Sequence, residues 1–456
     1  FIDCLDRSRP QPGEKPGRKA DGRGPFHKEA VPKPAVLKNV PRRYSRYGLP
    51  VSRFLQELDG VPTPAAAFLP CTMTYWYPGV QAVTDLVRKK FGRVPIVLGG
   101  IYATLLPDHA RSHSGADIVV RGAGEDRIFE VLREIFGDGF RHDARFNRLD
   151  DLPQPAFDLL RDRTWLPILS SRGCSFRCTF CASRLLHERF EQRDPLSVAS
   201  EIEGYFRRYG TRHFSFYDDA LLLNKQNHII PLLQAILRKD IPVNFHTPNG
   251  LHIREIDAGL ADLLWRSRVA SLYLSQETFD EELLEAKTPK VKPGDLERVL
   301  RHLENAGYRR RDISVYLIAG LPGQDASGIR ESIRNVQRLG ATPRLAFFSP
   351  IPGTVEWENL VASGTLPCSD SRSASDVSVQ SVPVTWALSR SRSPASLKRR
   401  RFSVAAASLI LSSAMACSSP RRPSRRSDTV FSPVSYTHLR AHETVLDLVC
   451  RLLLAK

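Results

Sequence analysis

The residues most able to do chemistry are three cysteines in one short stretch, Cys174, Cys178 and Cys181, at a C-x3-C-x2-C spacing. They follow an apolar run at residues 165–169 that predicts a buried strand. Four thiolates normally hold a 4Fe-4S cluster, so three would leave one iron without a protein ligand. An open metal position is where a substrate can bind and react. The spacing therefore indicates a reactive metal centre.

A structural zinc site is the alternative for the same cysteines, with His187 as a possible fourth ligand. Zinc sites favour two C-x2-C-like pairs, or a pair of cysteines and a pair of histidines. No second pair occurs, because the remaining cysteines are scattered along the chain at Cys4, Cys71, Cys368, Cys417 and Cys450. The cluster is the favoured interpretation.

The cysteine spacing, with Phe180 directly before the last cysteine, resembles the signature of the radical S-adenosylmethionine (SAM) enzymes. The resemblance implies that Cys174, Cys178 and Cys181 hold a 4Fe-4S cluster and that the amino and carboxylate groups of SAM fill the open iron site. Reductive cleavage of SAM would then give a 5′-deoxyadenosyl radical. Phe180 matches the aromatic residue that lies near the adenine in this family.

Strand and helix patterns alternate across residues 164–367. The predicted strands lie at residues 165–169, 213–217, 243–247, 271–274, 313–318 and 345–348. The predicted helices lie at residues 196–209, 228–237, 258–268, 293–305 and 327–339. This alternation predicts a parallel sheet, and its six steps resemble the partial TIM barrel of radical SAM enzymes. Barrels place functional residues at the carboxyl ends of their strands.

Two aspartates, Asp218 and Asp219, follow the second predicted strand. The resemblance implies that this position holds the SAM amino group. Neighbouring strand residues face opposite ways, so we expect only one aspartate to point inward. The alternative for either residue is an N-cap of the next element.

Later strands carry further candidates for SAM. Gln276 and Glu277 match the polar position of the fourth strand, and a surface ion pair is the alternative for Glu277. Ile318 and Gly320 match the apolar-x-Gly step that lies beside the adenine in the family.

Few residues in the sequence indicate which side of the barrel would face a substrate. Asn249, His252 and Arg254 follow the third predicted strand and could contact a small-molecule substrate. A solvated loop is an equally good interpretation of the same three residues.

Residues 1–135 predict a separate α/β unit. Apolar runs at residues 65–69, 95–98 and 118–120 alternate with helix-like spacing at residues 80–91 and 128–135. Such units form a parallel sheet that binds ligands at the carboxyl ends of its strands. Glycines at 99–100 and 122–124 lie at those ends, where a backbone can approach a ligand closely.

Two strings in this unit, at residues 73–79 and 99–104, resemble the cobalamin-binding-type Rossmann domain that precedes many radical SAM domains. The resemblance implies a cobalamin near Gly99, Gly100 and Tyr102. The Asp-x-His-x-x-Gly motif of some cobalamin proteins is absent from the sequence, so no cobalt ligand is assigned. The alternative is a domain that keeps the fold and binds nothing.

Residues 136–163 predict a linker that is stiffened by prolines at 153 and 155. At the start of the chain, the apolar pattern of residues 1–5 predicts the end of a strand, and we expect an N-terminally truncated fragment.

Residues 368–456 differ in composition from the rest. They contain 20 serines, and 14 Lys and Arg against 5 Asp and Glu, a net of +9 out of the chain's +17. This composition predicts disorder. Residues 434–444 resemble translated sequencing-adapter DNA, and we expect a frameshift near residue 368. A genuine Ser/Arg-rich tail that binds RNA is the alternative.

The composition indicates the cellular environment in which the protein is expected to work. With 42% hydrophobic residues the chain can bury real cores, and its eight cysteines indicate a reducing interior rather than a disulfide framework. No apolar run of about 18 residues occurs, so we expect a cytoplasmic protein without a membrane span. Much of the positive charge lies in the tail, so nucleic acid is not expected as a partner.

The sequence therefore predicts a radical SAM enzyme that uses a 4Fe-4S cluster, SAM and cobalamin. The expected reaction is methyl transfer to an unactivated carbon of a small molecule, with a flavodoxin or ferredoxin as electron donor. Rearrangement, methylthio transfer and a non-catalytic cobalamin- or cluster-binding sensor are the alternatives.

Overall fold

The computed structural model describes residues 1–4, 21–23, 26–33, 43–137 and 146–366. Two α/β units lie within these ranges, which confirms the predicted fold class. The predicted tail at 368–456 and part of the predicted linker, residues 138–145, lie outside the described residues.

The N-terminal unit is built on a three-stranded parallel sheet in the order β3-β4-β5. Its strands, with a small antiparallel pair that precedes them, are β1 (Lys28–Ala30), β2 (Ser45–Tyr47), β3 (Ala67–Pro70), β4 (Ile96–Gly99) and β5 (Ile118–Val119). Its helices are α1 (Val51–Asp59), α2 (Tyr77–Phe91), α3 (Ile101–Leu105), α4 (Pro107–His113) and α5 (Gly124–Phe136).

The second unit carries the barrel. Its strands are β6 (Trp165–Ile168), β7 (Ser171–Arg172), β8 (Glu191–Gln192), β9 (His213–Phe216), β10 (Asn244–His246), β11 (Val269–Ser271), β12 (Tyr273–Glu277), β13 (Ser314–Ala319) and β14 (Thr342–Phe347). Its helices are α6 (Ser183–Leu186), α7 (Pro195–Tyr209), α8 (Ile229–Lys239), α9 (Ala258–Arg266), α10 (Glu281–Lys287), α11 (Asp295–Asn305), α12 (Ala326–Arg338) and α13 (Val355–Ala362).

The barrel strands form two parallel sheets, β11-β10-β9-β6 and β12-β13-β14. The predicted fourth strand is in fact two short strands, because the chain leaves one sheet after β11 and joins the other at β12. An isolated parallel bridge between Leu251 and Leu274 connects the two sheets. With β11 and β12 counted as one step, the six predicted steps are present.

Local sequence explains where several of the helices begin. The side chain of an aspartate accepts a hydrogen bond from the first turn of α7, α9, α10 and α12, and Thr354 does the same for α13. Such N-caps satisfy amide groups that have no partner within the helix. The caps thus fix where each helix starts and how the preceding loop enters it.

The main core fills the space between the barrel strands and their helices, and its largest fully buried side chains include Phe214 and Phe245. A smaller cluster joins the two units. In it, Met73 and Ile101 of the N-terminal unit pack with Ala182 and Ile351 of the barrel. The carboxyl edge of the N-terminal sheet therefore faces the loop that carries the cysteines.

A short segment from the start of the chain packs against the barrel strands. The buried Asp21 carboxylate accepts a hydrogen bond from the hydroxyl of Tyr273 at 3.0 Å, and Arg23 donates to the hydroxyl of Tyr316 at 3.1 Å. Arg23 also pairs with Asp21 at 2.8 Å. These contacts tie residues 21–23 to the second sheet of the barrel.

The predicted strand end at the start of the chain is not present in residues 1–4. Among the described residues, the amide of Leu49 donates a hydrogen bond to the carbonyl of Cys4. None of the helices in the described ranges combines the length and the hydropathy that crossing a membrane requires.

Candidate active site

A cleft opens at the carboxyl ends of the barrel strands, with about 1000 Å³ of space between its walls, part of it open to solvent. All three cysteines of the C-x3-C-x2-C motif line it. The cleft is also lined by Phe180, Asp219, Asn249, Glu277, Lys290 and Ile318, among other residues.

The cysteine loop runs from β7 to α6. Gly173 begins the loop with φ +80°, and a Cβ at this position would lie 2.5 Å from the carbonyl oxygen of Arg189, so only glycine fits. Cys178 Sγ lies 3.5 Å from the hydroxyl of Thr288, and Cys181 Sγ lies 3.3 Å from that of Ser183. The loop is therefore held in shape by its neighbours.

Burial raises the pKa of the Cys174 thiol to about 12 and that of Cys181 to about 11. A thiolate in this cleft needs nearby positive charge, which bound iron would supply. In the parts of the chain that the structure describes, no three or more His, Cys, Asp or Glu side chains are grouped to hold one metal ion.

The two aspartates after β9 have different surroundings. Asp219 lines the cleft, and burial raises its pKa to about 7, with a hydrogen bond from Ser183 acting against this rise. The Asp218 carboxylate instead accepts hydrogen bonds from the hydroxyls of Ser170 and Ser171, both at 2.7 Å. Of the two, the structure places only Asp219 toward the cleft.

Glu277 and Lys290 form a buried ion pair in the cleft wall, with Lys290 Nζ 2.7 Å from Glu277 Oε1. Burial alone would lower the pKa of Lys290, but Glu277 and the nearby Cys178 raise it above its ordinary value. Glu277 has φ +67°, a conformation that costs a non-glycine residue about 1–2 kcal/mol. Sequence reasoning missed Lys290, because no periodic pattern or motif marks it.

Asn249 presents a free acceptor in the cleft wall. Its Nδ2 donates to the carbonyls of Tyr217, at 2.7 Å, and Asp218, at 3.4 Å. Since only the amide nitrogen can donate to carbonyls, Oδ1 must point the other way. It is buried without a hydrogen-bond partner among the described residues. A ligand with an N–H or O–H group would satisfy it.

Other predicted residues are spread more widely. Phe180 packs with Ile318 and Phe348 and forms an apolar wall of the cleft. Gln276 is buried away from the cleft and donates to the carbonyl of Thr278 at 2.8 Å.

Three further predicted positions follow strands of the barrel, Gly320 after β13 and the other two after β10. The amide of Gly320 donates a hydrogen bond to Gln324 Oε1 at 3.0 Å. Gly320 is not among the residues that line the cleft. His252 lines the cleft, whereas Arg254 is exposed outside it.

The carboxyl edge of the N-terminal sheet has its own open space. Nothing lies within 4 Å of a Cβ built on Gly99 or Gly122, and the Thr72 hydroxyl is buried without a hydrogen-bond partner in the described ranges. A buried hydroxyl without a partner at this edge could hydrogen-bond to a bound ligand. Gly100 and Tyr102 have structural roles here: a Cβ on Gly100 would lie 2.8 Å from Cys71 O, and Tyr102 is fully buried against His109.

The two units are also joined by charge beside the cleft. Arg172 of β7, next to the cysteine loop, forms a buried ion pair with Glu125 in the first turn of α5. An acidic residue is favourable at a helix N-terminus. This pair and the apolar cluster around Met73 hold the edge of the N-terminal sheet beside the cysteines.

Comparison with known proteins agrees with this geometry. Residues 168–336 match the model of the Radical SAM superfamily, so this part of the chain is a radical SAM domain. A domain of this kind implies a 4Fe-4S cluster and SAM as cofactors. The cleft described above contains the cysteines that would hold the cluster.

A curated relative is an uncharacterised methyltransferase of Pyrococcus horikoshii, 23% identical over 312 residues, which are 62% of this chain and 67% of the relative. A solved structure is the radical SAM methyltransferase TsrM of Kitasatospora setae, with cobalamin and a 4Fe-4S cluster bound. It is 18% identical, has a TM-score of 0.55, and the match covers 70% of this chain and 68% of that one.

The cobalamin-dependent SAM radical enzyme OxsB is similar at a TM-score of 0.50 and 14% identity, over 69% of this chain and 49% of that one. These likenesses show the fold: an N-terminal Rossmann-like α/β domain followed by a radical SAM barrel. The chain spans about two thirds of the length of the methyltransferase relative.

Proposed function

We propose that this chain is a cobalamin-dependent radical SAM methyltransferase that acts on an unactivated carbon of a small molecule. The observation that carries the proposal is the placing of two ligand-accepting edges side by side. The first is the cleft that the cysteines line. The second is the carboxyl edge of the N-terminal sheet at Thr72, Gly99 and Gly122. The methyltransferase relatives and the cobalamin-bound neighbour support the same function.

In this proposal, Cys174, Cys178 and Cys181 hold the cluster, and Thr72 and the space beside Gly99 hold cobalamin. When bound, the cluster supplies the electron that cleaves SAM, and cobalamin carries the methyl group.

The protein's own residues would bind and orient SAM. Asp219 and the free Oδ1 of Asn249 suit its ammonium group, and Lys290 suits its carboxylate. Phe180 and Ile318 offer an apolar surface for the adenine. The apolar wall also excludes water from the place where a reactive species forms. Radical SAM enzymes draw on a reductant, and a flavodoxin or ferredoxin is proposed for this role.

The test is anaerobic reconstitution of the chain with iron and sulfide, followed by SAM and dithionite. We expect 5′-deoxyadenosine or S-adenosylhomocysteine to form, and both to be lost in Cys178→Ala. The absorption spectrum after incubation with hydroxocobalamin should show bound cobalamin. Folded protein that takes up no cluster would contradict the enzyme class, and a working cluster without bound cobalamin would contradict methyl transfer.

A further inference from the structure

A fully buried carboxylate, Glu356, lies behind the cysteine loop and outside the set of ligand-binding residues described above. It is in the first turn of α13, 178 positions after Cys178 in the sequence. Its Oε1 accepts a hydrogen bond from the hydroxyl of Thr179 at 2.7 Å and pairs with Lys287 Nζ at 2.6 Å. Thr179 lies inside the cysteine motif, between Cys178 and Cys181.

Backbone hydrogen bonds close the same network. The amide of Thr179 donates to the carbonyl of Lys287 at 3.0 Å, and the amide of Glu356 donates to the carbonyl of Thr179 at 3.1 Å. Every polar group of Thr179 is therefore held, and each partner comes from α10 or α13. These three residues, Thr179, Lys287 and Glu356, are called the Glu356 network below.

The Glu356 network is expected to contribute little to the stability of the fold. Desolvation offsets most of the attraction of a buried ion pair, and apolar residues of similar size often serve as well. Here Glu356 Oε2 is also buried without a hydrogen-bond partner among the described residues, which adds to the cost. A costly arrangement that contacts the metal-binding loop suggests a role in that loop.

Charge gives the network a second effect. The reduction potential of an iron–sulfur cluster depends on the charges and hydrogen bonds around it. Lys287 and Glu356 place one positive and one negative charge against the cysteine loop, and in the wild type these largely cancel. Removing either one leaves the other uncompensated in a buried place.

We propose that Glu356 is a positioning residue for the cluster. Through Thr179 it fixes the cysteine loop in its ligand-ready shape, and with Lys287 it balances the charge that the cluster experiences. This inference rests on the proposed function in that it assigns a cluster to Cys174, Cys178 and Cys181, but the effect on the loop does not need a cluster.

The first test uses hydrogen–deuterium exchange of the full chain without a cluster, in the wild type, Thr179→Val, Glu356→Gln and Glu358→Gln. Glu358 is the matched control, because it is an exposed glutamate two residues further along the same helix. We expect faster exchange in the peptide that covers residues 174–183 for Thr179→Val and Glu356→Gln only. Exchange in that peptide equal to the wild type in both variants would overturn the positioning role.

The second test measures the midpoint potential of the reconstituted cluster by EPR-monitored titration. Glu356→Gln leaves Lys287 uncompensated and should raise the potential, whereas Lys287→Met leaves Glu356 uncompensated and should lower it. A purely structural role would not give shifts of opposite sign. Shifts in the same direction, or none, would overturn the charge balance.

The two tests separate this inference from the proposed function. If no variant takes up a cluster and the wild type also fails, the proposed function is wrong, yet the exchange experiment still decides whether Glu356 fixes the loop. If Lys287→Met does not fold, the uncharged variant Thr179→Val and the isosteric Glu356→Gln still test both parts.

Discussion

The ammonium of Lys290 lies 2.7 Å from the carboxylate of Glu277, and both side chains are buried in the wall of the cleft that the three cysteines line. Glu277 ends β12 in the left-handed region, with φ +67°. Backbone strain of this kind persists where the surrounding structure holds it, often at functional sites. The ion pair is part of what holds Glu277 there.

We expect Lys290→Met to lower the free energy of unfolding by about 3–5 kcal/mol, because it leaves a buried carboxylate without its partner. Chemical denaturation followed by circular dichroism measures this. Lys292→Met is the control, since Lys292 is exposed and its change should cost less than about 0.5 kcal/mol. Equal denaturation midpoints for the two variants would show that the pair does not form.

Substitutions of the two aspartates after β9 should have different effects, one on stability and the other on SAM binding. Asp218→Ala removes the acceptor of two buried serine hydroxyls and should cost about 2–3 kcal/mol of stability. Asp219→Ala removes a group that burial already penalises, so stability should change little. SAM affinity should instead fall by roughly 10- to 100-fold, as for a lost hydrogen bond to a charged group.

Denaturation curves and anaerobic equilibrium dialysis with labelled SAM measure the two effects. Each aspartate variant serves as the control for the other. The assignment would be contradicted if Asp218→Ala weakened SAM binding without loss of stability while Asp219→Ala behaved like the wild type.

The cysteine motif and the barrel strands were predictable from sequence because both depend on local patterns. The thiolates that bind one cluster stand close together in the chain, and a buried strand is a short apolar run. The predicted strand at residues 313–318 and the observed β13, Ser314–Ala319, differ by one residue. The positions where strands begin and end, such as the break between β11 and β12, were not predictable, because they depend on which sheet the chain joins.

The choice between Asp218 and Asp219 needed the structure for a physical reason. Alternation of side chains holds within a strand, but β9 ends at Phe216, so both aspartates lie beyond it. Long-range partners were equally hidden. Lys287 and Glu356 are 69 positions apart, and Asp21 and Tyr273 are 252 apart, and nothing in either local sequence points to the other.

The free acceptor on Asn249 predicts a measurable contribution to ligand binding. Asn249→Ala should weaken SAM binding by about 0.5–1.5 kcal/mol, or roughly 2- to 12-fold, because one hydrogen bond to Oδ1 is lost. Asn249→Asp should destabilise the fold, since a carboxylate cannot donate to the carbonyls of Tyr217 and Asp218.

The exposed Asn359 on α13 provides the control, and Asn359→Ala should leave SAM affinity unchanged. Equilibrium dialysis on reconstituted protein checks both variants. If Asn249→Ala binds SAM as tightly as the wild type, SAM is not the partner of Oδ1. If the variant loses affinity only when substrate is present, Oδ1 is assigned to the substrate instead.

A histidine pair on the neighbouring strands β9 and β10 predicts a pH dependence of stability. His246 is buried, its Nε2 lies 3.1 Å from His213 Nδ1, and its Nδ1 lies 2.9 Å from the hydroxyl of Ser271. Burial, and next the neighbouring His213, lower the pKa of His246 from 6.5 to about 4, and Asp21 acts against this. Burial also lowers the pKa of His213.

Both histidines are thus neutral in the folded state at a pH where the unfolded chain has protonated them. Between pH 6.5 and about 4 the unfolded state binds more protons, so the free energy of unfolding falls as the pH drops through this range. His246 alone should account for about 3 kcal/mol of this loss. Urea denaturation at intervals from pH 7.5 to 4.5 should show the slope, and His246→Gln should flatten it. An equally steep slope in His246→Gln would place the titrating group elsewhere, with His213→Gln as the next variant to measure.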